Sequence, residues 1–349
     1  MEKLKPKFFT TIRDYSKEQF IKDVISGIIV AIIALPLSIA LALASGVTPE
    51  KGIYTAIIAG FLVSFLGGSK VQIAGPTAAF ATIVAGIVAK SGMDGLIVAT
   101  IMAGILLVVM GLCHFGTLIK FIPYTITTGF TAGIAVTLFI GQIKDFLGLT
   151  VVSKEPLIDT GDKFMAYMKA LPTINWQAFL VGMICIAILI IWPKLGKISV
   201  IPASLIVVIV SIVLVKGLSM QVNTIGDLYE ISNKLPQLQM PHITFRLIQS
   251  EFSDALTIAI LAAIESLLSA VVADSMINGR HRSNMELIAQ GVGNIGSALF
   301  GGIPATGAIA RTAANVKNGG RTPVAGMVHS ITLLLVLILL MPYAALIPM

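Results

Sequence analysis

The chain has 349 residues, 56% of them hydrophobic and 12% charged, with a mean hydropathy of +0.95. Charged residues make up about a quarter of an ordinary soluble domain, so composition excludes that class. The net charge of +7 would suit a nucleic-acid binder, but the basic residues fall in short segments between apolar runs, as membrane topology requires, and no nucleic acid is expected as a partner.

Residues 1–20, with Lys3, Lys5, Lys7, Arg13 and Lys17, read as a basic, amphipathic, cytosolic lead-in. They are too mixed for a cleavable leader, and the apolar run that follows is too long for a signal-peptide core and lacks an A-x-A end. Apolar runs then lie at 21–45, 51–67, 70–90, 95–115, 121–149, 176–193, 199–216, 253–276, 284–300, 303–317 and 323–345. A bilayer takes about 20 apolar residues per helix. The pattern therefore predicts an all-α multi-pass membrane protein in contact with lipid, two of whose elements are half-helices.

Trp176 and Trp192 bracket one run at roughly 24 Å, which suits opposite interfaces. A cytosolic N-terminus puts Lys70, Lys120, Lys194, Lys197, Arg280, Arg282, Lys317 and Arg321 inside, with Lys51 and Lys90 as exceptions. The longer loops 150–175 and 217–252 then lie outside. The second holds Pro236 and Pro241 and reads as carrying a small strand from His242 to Arg246.

The two half-helices share one grammar. Gly67 to Ala89, GGSKVQIAGPTAAFATIVAGIVA, is a short extended run, a Gly75–Pro76 break, and an apolar helix from about Thr77. Phe300 to Asn315, FGGIPATGAIARTAAN, breaks at Gly301, Gly302 and Pro304 before a small-residue helix. Proline suits the first helical position, where its missing N–H costs nothing. Helices that start inside a bilayer expose unpaired, partly positive amides that lipid cannot satisfy. The sequence thus predicts a small-oxyanion site in which the amides of Thr77, Ala78 and Ala79 face those of Thr306, Gly307 and Ala308, with Thr77 and Thr306 adding hydroxyls. The breaks stand at the third and tenth elements. Seven crossings between them would invert one repeat relative to the other, so that the tips converge near the midplane.

Glu265 lies in mid-run, where an unpaired acid costs a few kcal/mol and marks a functional candidate. Ser269 follows one turn on, on the same face. Cys113 and Cys185 read as packed thiols, Gly129 and Gly133 as a close-packing GxxxG pair, and Asp274 as an interfacial partner of Arg280. Gln142, Lys144 and Asp145 read as solvated at the outer interface. The four histidines, His114, His242, His281 and His329, show no metal-ligand spacing. No membrane run carries HExxH, GxSxG or an aspartyl pair. No catalytic residue, metal or cofactor is therefore expected, and the chain does not read as an enzyme.

The chain resembles the SulP family of inorganic anion transporters, the sulfate permeases and their relatives. The likeness runs over nearly the whole chain. It is carried by ALPLSIALALASGVTPEKGIY (Ala34 to Tyr54), GGSKVQIAGPTAAF, IPYTITTGFTAGIAV (Ile122 to Val136), AAIESLLSAVVAD (Ala262 to Asp274) and GNIGSALFGGIPATGAIARTAANVKNGGRTPVAG (Gly293 to Gly326). It implies a 7+7 inverted-repeat transporter whose second repeat is incomplete here. It divides the chain into core helices 1–4 over 21–115, gate helices 5–7 over 116–216, an extracellular loop over 217–252 and core helices 8–11 over 253–349. The last gate helices and a cytosolic STAS domain would follow, so the reading expects a truncated chain. It further implies a homodimer, a cell-membrane location, and a substrate held between the two breaks beside Pro36 and Leu37.

The family carries an acid at the position of Glu265, tied to cation coupling, and often a basic residue at Arg311. The resulting expectation is secondary active transport of a small inorganic anion, sulfate or bicarbonate, as proton symport in which Glu265 and Arg311 approach each other and Arg311 holds the anion. The proton affinity of Glu265 would then follow conformation. Sodium-coupled bicarbonate symport, with Glu265 and Ser269 holding Na+, ranks second, because Ile309 offers no hydroxyl and Arg311 repels a cation. A passive anion exchanger or channel is the other alternative. A nucleobase permease is disfavoured by Arg311 and by the lack of an acid in PATGAIARTAAN. Chloride, nitrate and dicarboxylates also fit a dipole-lined site.

Overall fold

The computed structural model of the protein describes residues 4–117, 124–152, 157, 159–195, 202–229, 232–241 and 243–349. Lys3, Lys120, Lys197 and His242, used above, lie outside the described residues, as do Ile122 and Pro123. The chain divides into two compact units. One takes 1–123 with 234–338, and the other takes 124–233 with 339–349.

The first unit opens with a single turn, α1 (Phe8–Thr11), and α2 (Lys17–Ala44), whose cap Ser16 accepts from the Gln19 amide. α3 (Pro49–Leu66) starts on a proline at its first position, as a helix tolerates. The first break follows. The strand β1 (Ala74–Gly75) leads through a tight turn, Ala78–Phe80, into α4 (Ala81–Leu112). Gly92, at φ +64°, interrupts α4, so the predicted 70–90 and 95–115 elements are two helices joined at one left-handed residue.

The second unit holds α5 (Tyr124–Phe146), α6 (Thr160–Ala170), α7 (Trp176–Ile191), α8 (Ala203–Gly217) and the turn α9 (Ile225–Leu228). Both long loops therefore carry helix.

The chain then returns to the first unit. α10 (Phe245–Ile277) is capped by Thr244, whose side chain accepts from the Leu247 amide, and ends at Asn278 in the left-handed region. The strand expected from His242 to Arg246 is not formed at Phe245 and Arg246, which begin this helix; the cap at Thr244 outweighs the local β-propensity. α11 (Ser283–Leu299), β2 (Thr306–Gly307) and α12 (Ile309–Lys317) follow. α13 (Pro323–Ala344) closes the unit and runs into the second. Among the described residues, six helices are long and apolar enough to cross a membrane. The all-α reading holds apart from the two-residue strands.

α11 packs on α4 and α3, and α10 on α4, around Phe80, Val84, Leu96, Leu107, Ile258 and Leu287. The closest approach is at glycines: a Cβ on Gly104 would lie 2.7 Å from Gly291 O, so the helices touch backbone to backbone. Gly129 and Gly133, read as such a pair, have nothing within 4 Å among the described residues. Cys113 is exposed rather than packed, because it caps the C-terminal end of α4.

One end of the first unit gathers the N-terminal segment with three loops. Arg282 Nη1 donates to Lys5 O at 2.6 Å, the Lys7 amide to Gly67 O at 2.9 Å, and the Arg321 amide to Asp23 Oδ1 at 2.8 Å. Asp274 at this end meets His281, Nδ1 to Oδ2 2.7 Å, in place of the expected Arg280, because Asn278 turns the chain back onto the end of α10.

Candidate functional site

Two breaks distant in sequence lie side by side. β1 and β2 pair antiparallel with Ala74 opposite Gly307 and Gly75 opposite Thr306. The Ala308 amide extends the ladder to Ile73 O at 2.9 Å. Extended backbone inside a bundle has unmet polar groups, and side-chain amides and hydroxyls meet them here. Asn294 donates to Ala305 O at 2.9 Å and accepts from the Ala305 amide at 2.8 Å. Asn315 donates to Val71 O at 2.8 Å, and Thr312 Oγ1 accepts from the Ile73 amide at 3.1 Å. Ser266 Oγ accepts from the Gly307 amide at 3.1 Å and bonds Thr306 Oγ1 at 2.6 Å. Gln72 Nε2 donates to Ser266 O at 3.2 Å.

This pairing engages part of the predicted anion site within the protein. The amides of Gly307 and Ala308 are used inside the protein, and Thr306 turns its hydroxyl to Ser266. The free start of the second half-helix lies two residues later: Ala308 caps α12, and its carbonyl accepts from the Thr312 amide at 2.9 Å. The amides of Ile309 and Ala310, two exposed residues, have no acceptor among the described residues. The first half-helix is arranged differently. Thr77 caps the turn, and the amides of Ala78 and Ala79 have no acceptor among the described residues. Pro36 is half-buried on α2, and Leu37 beside it is exposed.

Glu265 and Arg311 do not touch. The ion pairs among the described residues are Lys22–Glu18, Lys90 with Glu251 and Asp254, and His281–Asp274. Adjacent residues of the first break hold the two charges instead. Thr77 Oγ1 donates to Glu265 Oε2 at 2.9 Å, and Arg311 Nη2 donates to Pro76 O. Arg311 is 1% exposed, so its guanidinium stands behind the break and not in an open cavity. It occupies the space that a side chain at position 75 would need, which explains the glycine there. Ser269, fully buried, donates to Thr312 Oγ1 at 3.4 Å and makes no bond to Glu265.

The residues missed in the sequence are Gln72, Ser266, Asn294, Thr312 and Asn315. Their signal was a set of amide and hydroxyl side chains beside glycine-proline breaks in apolar runs, where each needs a buried partner.

The chain matches the Sulfate permease family over residues 20–349. YvdB of Bacillus subtilis (strain 168) is 44% identical over 345 residues, which is 98% of this chain and 64% of that protein. The bicarbonate transporter BicA of Picosynechococcus sp. is 32% identical over 330 residues, 90% of this chain and 57% of that protein. The chain thus spans less than two thirds of the length of either relative. Among solved structures, the transmembrane domain of a cyanobacterium bicarbonate transporter BicA superposes with a TM-score of 0.84 at 29% identity, covering 96% of this chain and 86% of that one.

Proposed function

The chain belongs to the sulfate permease family, and from that premise we propose that it forms the membrane part of a secondary active transporter for a small inorganic anion, sulfate or bicarbonate. The observation that carries this reading is the pair of half-helix starts, Ala78–Ala79 and Ile309–Ala310, on two breaks joined by one short ladder. Each start offers roughly half a positive charge. Together they attract an oxyanion without gripping it as tightly as a dedicated cation would, so the anion is able to leave.

Arg311 adds positive potential from behind. By donating to Pro76 O it also turns that carbonyl dipole away from an incoming anion. At an effective dielectric of about 20, a unit charge roughly 10 Å away contributes on the order of 1–2 kcal/mol in favour of anions over neutral solutes.

Proton coupling follows from Thr77. Its hydroxyl is committed to Glu265 while the acid is ionised. A proton taken up on Glu265 removes the charge that offsets Arg311 and leaves the hydroxyl able to turn to the anion, so proton and anion load together. Sodium coupling is the second reading, weakened because Ser269 is turned to Thr312. Basic loops gathered beside the N-terminal segment support a cytosolic N-terminus in the cell membrane.

The test is tracer uptake into proteoliposomes under an imposed proton gradient, for wild type and Glu265→Gln. Wild type is expected to accumulate the anion against its gradient, and Glu265→Gln to equilibrate it without responding to the proton gradient. Undiminished gradient dependence in Glu265→Gln would remove the acid from the coupling role. Saturable accumulation separates a transporter from a channel, and replacing sodium by potassium separates the two couplings.

A further inference from the structure

Arg311 and His329 are both fully buried, and each leaves nitrogens unpaired. Arg311 Nε and Nη1 and both ring nitrogens of His329 have no hydrogen-bond partner among the described residues. The two groups flank the same two residues of β1. The guanidinium lies against Gly75. A Cβ built on Gly60 would lie 3.2 Å from Ala74 O and 3.8 Å from His329 Cδ2, which places the ring in the seam of α3 and α13 beside Ala74. Ser64 Oγ, also unpaired, lines the same seam against Gly326 and Ile73.

An unpaired buried donor is costly, and Arg311 carries two such nitrogens. A neutral imidazole offers one acceptor and one donor. A buried water needs two to four polar partners. The guanidinium N–H groups against Gly75 and the imidazole and Ala74 O against Gly60 are partners of that kind.

We infer that His329 is a positioning residue for Arg311: through buried water its ring provides the acceptor that Nε and Nη1 lack in the protein, and so holds the guanidinium on Pro76 O and away from Glu265. This inference rests on the proposed anion site only for its effect on transport. The occupant is water and not an anion, because Ala74 O and the imidazole lone pair would both repel an anion there.

The test is a double-mutant cycle in thermal unfolding of the purified protein, with His329→Leu, Arg311→Met and the double variant. The sign is diagnostic. If the bridge exists, His329→Leu strands the arginine donors and lowers Tm, and the loss vanishes in the Arg311→Met background. If His329 is merely an unpaired polar group, leucine of similar size raises Tm or leaves it unchanged, which overturns the inference. A loss of equal size in both backgrounds overturns it as well, since it would report packing alone. Should the leucine variant not fold, the same cycle with His329→Gln, which keeps a donor and an acceptor, decides. Near-wild-type Tm supports the bridge, and an equal drop with and without Arg311 rejects it.

In transport, His329→Leu is expected to raise KM for the anion about tenfold with kcat little changed, and His329→Gln to restore it. An unchanged KM in folded His329→Leu protein overturns the positioning role. Failure of wild type to transport would sink the proposed function while leaving the cycle's answer intact.

Discussion

Thr77 Oγ1 donates to Glu265 Oε2 at 2.9 Å, so the residue that restarts the first half-helix also restrains the acid of α10. Thr77→Val keeps the shape and removes the donor. Freed of that bond, Glu265 is expected to swing toward Arg311, raising KM for the anion about tenfold and weakening the response to a proton gradient. Thr77→Ser should behave as wild type. Uptake kinetics on the three proteins check this, and equal KM for all three would detach the hydroxyl from the site.

Arg311 reaches Pro76 O with a planar fork from full burial. A lysine there carries the charge but lacks the fork. Arg311→Lys should lose most uptake while folding normally, and Arg311→Met should lose all of it. Circular dichroism and uptake measured together separate these outcomes from unfolding.

Gly307 faces the Gln72 amide so closely that no Cβ fits. Gly307→Ala must push Gln72 off Ser266 O and open the β1–β2 ladder. A loss of about 1–3 kcal/mol is expected, as for overpacking in a tight core. Thermal unfolding reads it, and an unchanged Tm would mean that the ladder yields freely.

How far the sequence reached follows from which contacts are local. The breaks were legible because Gly75–Pro76 and Gly301, Gly302 and Pro304 are local chain-breaking signals. The half-helix starts were placed at Thr77 and Thr306 by analogy between the two motifs. The second moved to Ile309 because β1 recruits Gly307 and Ala308 into a ladder, a pairing between residues more than two hundred positions apart. The sequence points to Ser269 because it shares a face with Glu265. At about 100° per residue, Ser269 falls within about 40° of Glu265 and Ser266 about 100° away, so local geometry favours Ser269, and only the position of β2 engages Ser266. The sequence reads Arg311 as an anion ligand without showing that the small Gly75 lets its guanidinium reach Pro76 O.

Asp23, fully buried at the start of α2, accepts from Tyr15, Gln19, Arg321 and Thr322. Asp23→Ala should lower stability by about 2–4 kcal/mol by stranding these donors. Burial first, and then Asp23, push the Tyr15 hydroxyl well above the ordinary tyrosine range. The folded state therefore keeps this proton more tightly than the unfolded chain. The stability it contributes is present below about pH 10 and fades as pH rises further. Tm measured from pH 8 to 11 should fall more steeply for wild type than for Tyr15→Phe, and parallel curves would contradict the assignment.

The central claim is that two half-helix starts and the charge behind them hold an anion. The most direct measurement is a structure of the protein soaked in selenate or bromide, with the heavy atom located by anomalous scattering. The peak is expected within hydrogen-bonding reach of the Ala78–Ala79 and Ile309–Ala310 amides, and it should vanish in Arg311→Met. A peak elsewhere, or one at this position indifferent to Arg311, would contradict the account.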